Sequence, residues 1–114
     1  MQKKIKISFD DEVANRFCYD VDMHRIEISF AGYYHNDQYV KKECQLIIEK
    51  WSEAKSKLSI QNCYNDLESH LGIISMILNI KVVDDKMFLT VNTTDNRYVD
   101  LLFYNSHIEI KEIT

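Results

Sequence analysis

Apolar and polar residues alternate with a period of two in several windows of this chain, and this pattern constrains the fold more than any other feature. It is typical of β-strands that bury one face against a core. The 114 residues include no proline and only two glycines, Gly32 and Gly72, so no linker of turn-forming residues divides the chain. We therefore expect a single, mainly β domain over residues 1–114, built as an antiparallel meander in a curved sheet or an open, barrel-like sandwich.

The C-terminal half predicts a four-strand meander over about residues 75–112. A two-residue turn at Asp84-Asp85 and a loop of three or five residues centred on Asp95 bring apolar windows together on one face. A third turn at Asn105-Ser106 adds the last strand. The expected cross-strand pairs are Val82–Met87, Ile80–Leu89, Leu78–Val91, Val91–Val99, Leu89–Leu101, Phe103–Ile108 and Leu101–Ile110.

The N-terminal half predicts a second antiparallel set over about residues 3–51, beginning with an apolar face of Ile5, Ile7 and Phe9. Turns over residues 21–24 and 36–37 connect the next strands. One register requires an extra residue, and we expect a β-bulge at Gly32 because bulges favour glycine. The expected pairs are Phe17–Ile28, Tyr19–Ile26, Phe30–Cys44, Ile28–Leu46 and Ile26–Ile48.

A crossover around residues 52–72 joins the two sets. Residues 52–55 have helix-forming composition, and the run Asn65-Asp66-Leu67-Glu68 is typical of a capped helix start. We expect one short helical or irregular crossover. Its boundary with the following strand near Gly72 stays open, because the apolar residues there also fit helical spacing.

The charge balance argues against nucleic-acid binding. The chain has 14 basic and 18 acidic residues, a net charge of −4, whereas a protein that neutralises phosphates needs the opposite sign. The N-terminus lacks the apolar segment of an export signal, and the longest apolar stretch, residues 71–83, is too short to span a bilayer. Together with three irregularly spaced cysteines, this predicts a soluble cytoplasmic protein with reduced thiols and no membrane partner.

The residues that carry common catalytic and cofactor chemistry are not suitably spaced. Gly32 and Gly72 are too far apart for a glycine-rich phosphate loop. The three cysteines and four histidines lack the short spacings of zinc sites, and no nucleophile elbow is present. Cys44 shares strand parity with Leu46, so we expect its thiol to be buried. The sequence therefore predicts no enzyme activity, no metal and no cofactor.

Three segments, IEISFAGYY (residues 26–34), WSEAKSKL (51–58) and NTTDNRY (92–98), occur here in a short, acidic, single-domain chain. In this combination the chain resembles small bacterial immunity proteins of polymorphic or contact-dependent growth inhibition toxin systems. The resemblance implies a single-domain inhibitor that binds its cognate toxin tightly and performs no catalysis. Because such proteins have divergent binding faces, the resemblance assigns no functional residue. Many of these toxins are basic nucleases, which suits an acidic inhibitor.

Candidate partner-binding residues lie at three loop tips of the expected sheet, where a rigid scaffold exposes tyrosines and charges. The residues are Tyr33, Tyr34 and Asp37 at the first tip, Asp84 and Asp85 at the second, and Asp95, Arg97 and Tyr98 at the third. Aromatic side chains supply contact area at interfaces, and acids steer a basic protein partner. Two alternatives stay open: another non-catalytic interaction module, and a small-ligand-binding β domain with a cavity lined by inward residues.

Overall fold

The computed structural model describes residues 7–9 and 12–112 of the chain. Its elements in chain order are β1 (Ile7–Ser8), β2 (Arg16–Asp20), β3 (Arg25–Phe30), β4 (Tyr33–His35), β5 (Gln38–Val40), β6 (Cys44–Glu49), β7 (Glu53–Leu58), β8 (Asn65–Asp66), α1 (Leu67–His70), β9 (Ile74–Val83), β10 (Lys86–Thr93), β11 (Tyr98–Tyr104) and β12 (His107–Glu112). The predicted fold class, mainly β with antiparallel strands and one short helix, is confirmed.

The described strands form three antiparallel sheets. The five-stranded sheet has the order β8-β7-β11-β10-β9, and the four-stranded sheet has the order β12-β6-β3-β2. A small third sheet has the order β1-β4-β5. Within the expected N-terminal apolar face, Phe9 is buried, whereas Ile5 and the side chain of Ile7 lie outside the described residues.

Inward residues of the two larger sheets belong to one hydrophobic cluster. Strands contribute alternate residues, as the period of two predicts: Ile26 and Ile28 of β3, and Leu101 and Phe103 of β11, are fully buried. Trp51 lies between β6 and β7, where the chain passes from one sheet to the other. Its ring centroid is 5.0 Å from that of Phe103, so the connection itself packs into the core that the two sheets share.

The two hairpins around β10 form in the predicted register, with one exception. The confirmed pairs are Val82–Met87, Ile80–Leu89, Val91–Val99 and Leu89–Leu101. The predicted pair Leu78–Val91 is wrong, because the register shifts after Thr90 and places Val91 opposite Ile77. Leu78 is therefore an extra residue of β9 and is exposed. β9 is an edge strand of its sheet, and the described residues on its other side contact it only through the isolated bridge of Val13 with Met76. It can therefore bulge without disrupting a second strand.

The last strand of the predicted meander joins the other sheet. β12 pairs with β6, which places Ile108 opposite Ile48 and Ile110 opposite Leu46. The predicted pairs with Phe103 and Leu101 are therefore wrong. β11 already has β10 on one side and β7 on the other, so no edge remains for β12. A strand with alternating apolar residues can bury them equally well beside β11 or beside β6. The alternation alone therefore did not identify the partner of β12.

The crossover holds a strand where its composition indicates a helix. Residues 53–58 form β7, which pairs with β11 inside the five-stranded sheet. Pairing with β11 thus stabilises a strand more than the weak local helix propensity stabilises a helix. The helix instead runs from Leu67 to His70, with Asp66 as N-cap, and it begins within the run that predicted a helix start. Within the described ranges, no helix has the length and apolar composition that crossing a membrane requires.

The register around Gly32 is as predicted, but its cause is different. Phe30 pairs with Cys44, and Tyr33 pairs with Val40. Two residues, 31–32, therefore face three residues, 41–43, so the extra residue lies in the returning segment and the predicted bulge at Gly32 is wrong. Position 32 favours glycine for another reason, because a Cβ atom there would collide with the Tyr39 ring.

Candidate functional site

A shallow, solvent-open groove of about 260 Å³ lies between the edge strand β2 and the chain around α1. We call it the Gly72 groove. Its lining residues are Phe17, Tyr19, Glu68, Leu71, Gly72 and Ile73. Phe17 and Tyr19 alternate on β2 and face the same side of the strand. The remaining residues come from α1 and the three residues that follow it, so the fold brings together positions about 50 residues apart.

Apolar side chains dominate this groove. Phe17 and Leu71 are half-buried, and the side chain of Ile73 is 58% exposed at its margin. Among the described residues, β2 pairs as a strand only with β3, so its other edge faces the groove without a neighbouring strand. Exposed apolar surface beside an unpaired strand edge is a common feature of protein-binding sites.

A carboxylate lies at the rim of the groove. The Tyr19 hydroxyl donates a hydrogen bond of 2.7 Å to Glu68 Oε1. This bond holds the pKa of Glu68 below its ordinary value. Burial, followed by the bond to Glu68, raises the pKa of Tyr19. Tyr19 is thus neutral and Glu68 charged near neutral pH, which gives the apolar groove one negatively charged edge.

The loop between β10 and β11 forms hydrogen bonds to the segment around α1 that lines the groove. Arg97 Nη1 donates a hydrogen bond of 3.0 Å to the His70 carbonyl oxygen, and Arg97 Nε binds Asp95 Oδ2 at 2.7 Å. The Thr94 amide donates to the Ile73 carbonyl oxygen at 2.9 Å. These contacts hold the segment after α1 in place, so the position of the groove depends on the 93–97 loop.

One of the three predicted loop tips is adjacent to the Gly72 groove. Asp95 and Arg97 brace it from behind, and Tyr98, which begins β11, is 56% exposed. Asp84 and Asp85 are exposed, but they lie at the opposite end of the eight-residue strand β10. That separation is roughly 25 Å at the usual rise per residue of a strand. A single compact site cannot use both tips.

The tip around residues 33–37 contributes less exposed aromatic surface than its composition indicates. Tyr33 is buried, and its hydroxyl donates a hydrogen bond of 2.6 Å to Glu112. The half-buried Tyr34 packs against Tyr39, with ring centroids 5.2 Å apart. Asp37 is exposed in the hairpin turn, with a φ of 65°. Of these three predicted residues, only Asp37 is exposed.

A second shallow groove, of about 240 Å³, lies on the outer face of the five-stranded sheet. Asp100 lies in it and accepts hydrogen bonds from Ser59 and Thr90, and its carboxylate pairs with Lys57 Nζ at 2.9 Å. Burial opposes the ionisation of Asp100, but these bonds outweigh it and hold the pKa of the carboxyl below its usual range. Because these partners use the polar atoms of Asp100, this network stabilises the sheet.

Sequence reasoning missed most residues of the Gly72 groove. Alternation assigns Phe17 and Tyr19 only to strand pairing, and most of the remaining lining residues fall in the crossover predicted around residues 52–72. The one available signal was Gly72 between Leu71 and Ile73, since a glycine between apolar residues marks a close approach.

Comparisons with protein-family models, curated proteins and solved structures found no match to this chain. The functional argument therefore depends on the geometry of the chain itself.

Proposed function

We propose that this chain is a non-catalytic immunity protein that binds and neutralises a cognate bacterial toxin domain. The observation that supports this proposal best is the Gly72 groove, where apolar side chains lie beside a charged carboxylate and a β2 edge that no other described strand pairs with. A partner segment with an apolar anchor and basic neighbours is complementary to this combination.

The overall charge supports a basic partner. The net charge of −4 favours association with a positively charged domain, because opposite charges accelerate diffusional encounter. Glu68 at the groove rim adds a charge at the place where contact would begin. A basic nuclease domain of a toxin has the matching sign, as the resemblance to immunity proteins implies.

The alternative of a small-ligand-binding domain has less support. Inward residues of both large sheets pack on each other in one core. The grooves of about 260 and 240 Å³ are open to solvent and smaller than the pockets of about 300–1,000 Å³ that hold most small ligands. An open, partly apolar surface suits a protein partner better than a small molecule.

Co-expression tests this function directly. The toxin domain encoded by the neighbouring reading frame should arrest growth when expressed alone, and this chain should restore growth when expressed with it. Substituting Ile73→Asp, which places a charge at the groove margin, should abolish the protection. Ile60→Asp is the matched control, because Ile60 is 91% exposed and does not line the groove.

The outcomes separate the function from its location. If the wild-type chain does not restore growth and does not bind the purified toxin domain in a titration, the immunity function is wrong. If the wild-type chain protects and Ile73→Asp protects equally well, the function stands and the Gly72 groove is not the interface.

A further inference from the structure

Three side chains with metal-binding atoms meet on the outer face of the four-stranded sheet. They are Glu49 of β6 and His107 and Glu109 of β12, and their ligand atoms all lie within 4.8 Å of one another. We call them the Glu49 triad. The set combines one imidazole with two carboxylates, which is a ligand type that zinc and related transition metals accept.

Strand geometry explains why these side chains converge. His107 lies directly opposite Glu49 in the antiparallel pair of β12 and β6. Glu109 is two residues farther along β12 and therefore points to the same face. The inward neighbours Ile108 and Ile110 anchor β12 to the core cluster. The backbone thus holds three ligands on one surface without a loop that must rearrange.

The surrounding charges favour a cation. The carboxylates of this face outnumber its cations: Asp20, Glu27, Glu49 and Glu109 are accompanied by Arg16, Arg25 and Lys111. Arg25 donates to Oε1 of Glu27 at 2.7 Å and to Oε1 of Glu49 at 3.0 Å. The guanidinium fixes the position of the Glu49 carboxylate. Hydrogen-bond partners outside the coordination shell position metal ligands in the same way. Within the described part of the chain, Glu109 has no ion pair.

The triad also surrounds a covered apolar residue. Ile47 points to the outer face opposite Glu27 and Glu109, yet only 3% of its surface is exposed. Side chains of neighbouring outward residues therefore cover Ile47. Within the triad, Glu49 is half-buried, whereas His107 and Glu109 are exposed and accessible to an ion.

We propose that Glu49, His107 and Glu109 bind a divalent transition metal ion, with Zn²⁺ as the best match and water completing its coordination. This inference is independent of the proposed toxin partner. It departs from the sequence-based expectation of no metal, which considered spacing along the chain. His107 follows Glu49 by 58 residues and becomes its neighbour only through the β6–β12 pairing.

Isothermal titration of the chelator-treated full chain with ZnCl₂ tests the site. We expect one Zn²⁺ per chain and no comparable binding of Ca²⁺, which prefers oxygen ligands alone. His107→Gln and Glu109→Gln should each weaken the affinity about 10-fold or more, since loss of even an outer partner of a ligand has this effect. Both residues are exposed, so the variants keep their core.

Three control variants exclude other zinc ligands. Cys18→Ser and Cys63→Ser remove exposed thiols, and His35→Gln removes an exposed imidazole at the end of β4. All three should bind Zn²⁺ as the wild type does. Zn²⁺ should also raise the Tm of the wild type more than that of His107→Gln. Unchanged affinity in His107→Gln, loss of binding in a cysteine variant, or equal binding of Ca²⁺ would each overturn the proposal.

Discussion

The guanidinium of Arg97 occupies the space beside Gly72 that a side chain at position 72 would need. An ideal Cβ atom on Gly72 would lie only 2.5 Å from Arg97 Nη2 and 3.4 Å from Thr93 Cγ2. The backbone does not require glycine there, because neither described glycine has a positive φ. Packing rather than backbone conformation therefore favours glycine at position 72, because a larger residue would displace the Arg97 guanidinium.

This contact predicts a non-additive pair of substitutions. Gly72→Ala should lower the free energy of unfolding by about 1 kcal/mol, because it displaces Arg97 from the His70 carbonyl oxygen. In an Arg97→Ala background the same change should be neutral or stabilising by up to about 1 kcal/mol, as alanine restricts the unfolded chain. Urea unfolding of the two single variants and the double variant measures the coupling. Additive effects would show that the contact does not constrain position 72.

The Tyr19–Glu68 hydrogen bond predicts a pH-dependent contribution to stability. The pKa of Glu68 is lowered in the folded state, so the bond stabilises the fold above the ordinary value near 4.5 and loses this effect as the pH falls through the folded pKa. Tyr19→Phe should return the pKa of Glu68 toward that ordinary value and reduce the acid-induced loss of stability. Carboxyl NMR titration measures the shift. Tyr98→Phe, at an exposed tyrosine, is the control and should change neither quantity.

The Lys57–Asp100 pair should be the ion pair that contributes most to stability. Both side chains are largely covered, with 14% and 22% of their surfaces exposed. Asp100→Asn leaves the Lys57 ammonium without its counter-charge and should cost about 2 kcal/mol in urea unfolding. Removing the exposed pair partner Lys55, which lies 3.7 Å from Glu53, should cost less than about 1 kcal/mol. Equal costs at the two sites would contradict the role assigned to burial.

The three thiols should differ sharply in reactivity. Cys44 is fully buried, and burial raises its pKa to about 11, so very little reactive thiolate is present near neutral pH. A thiol-specific reagent should therefore modify Cys18 and Cys63 in the folded protein and reach Cys44 only after unfolding. Cys44→Ser should cost about 1–3 kcal/mol unless the new hydroxyl finds a partner. Rapid labelling of all three thiols in the folded chain would contradict the placement of Cys44.

Local patterns were sufficient wherever neighbours in sequence became neighbours in space. The hairpin registers of β2–β3 and β9–β10–β11 followed from alternation and turn residues, because a short loop leaves only one register that buries both apolar faces. The 93–97 loop was also predicted, with Asp95 at its centre. Leu78 departs from this regularity because an edge strand can hold an extra residue.

The same reasoning did not predict which strands far apart in sequence pair with each other. The sequence by itself determined the β class, the inward faces of β2, β3, β6, β10, β11 and β12 and the buried state of Cys44, since these depend on local periodicity and composition. Only the tertiary structure decided that β7 enters the five-stranded sheet and that β12 pairs with β6. An alternating strand fits several apolar edges equally well, and the choice depends on which edges the rest of the chain leaves open. The Gly72 groove and the Glu49 triad arise from that choice, because each is built from segments about 50 residues or more apart.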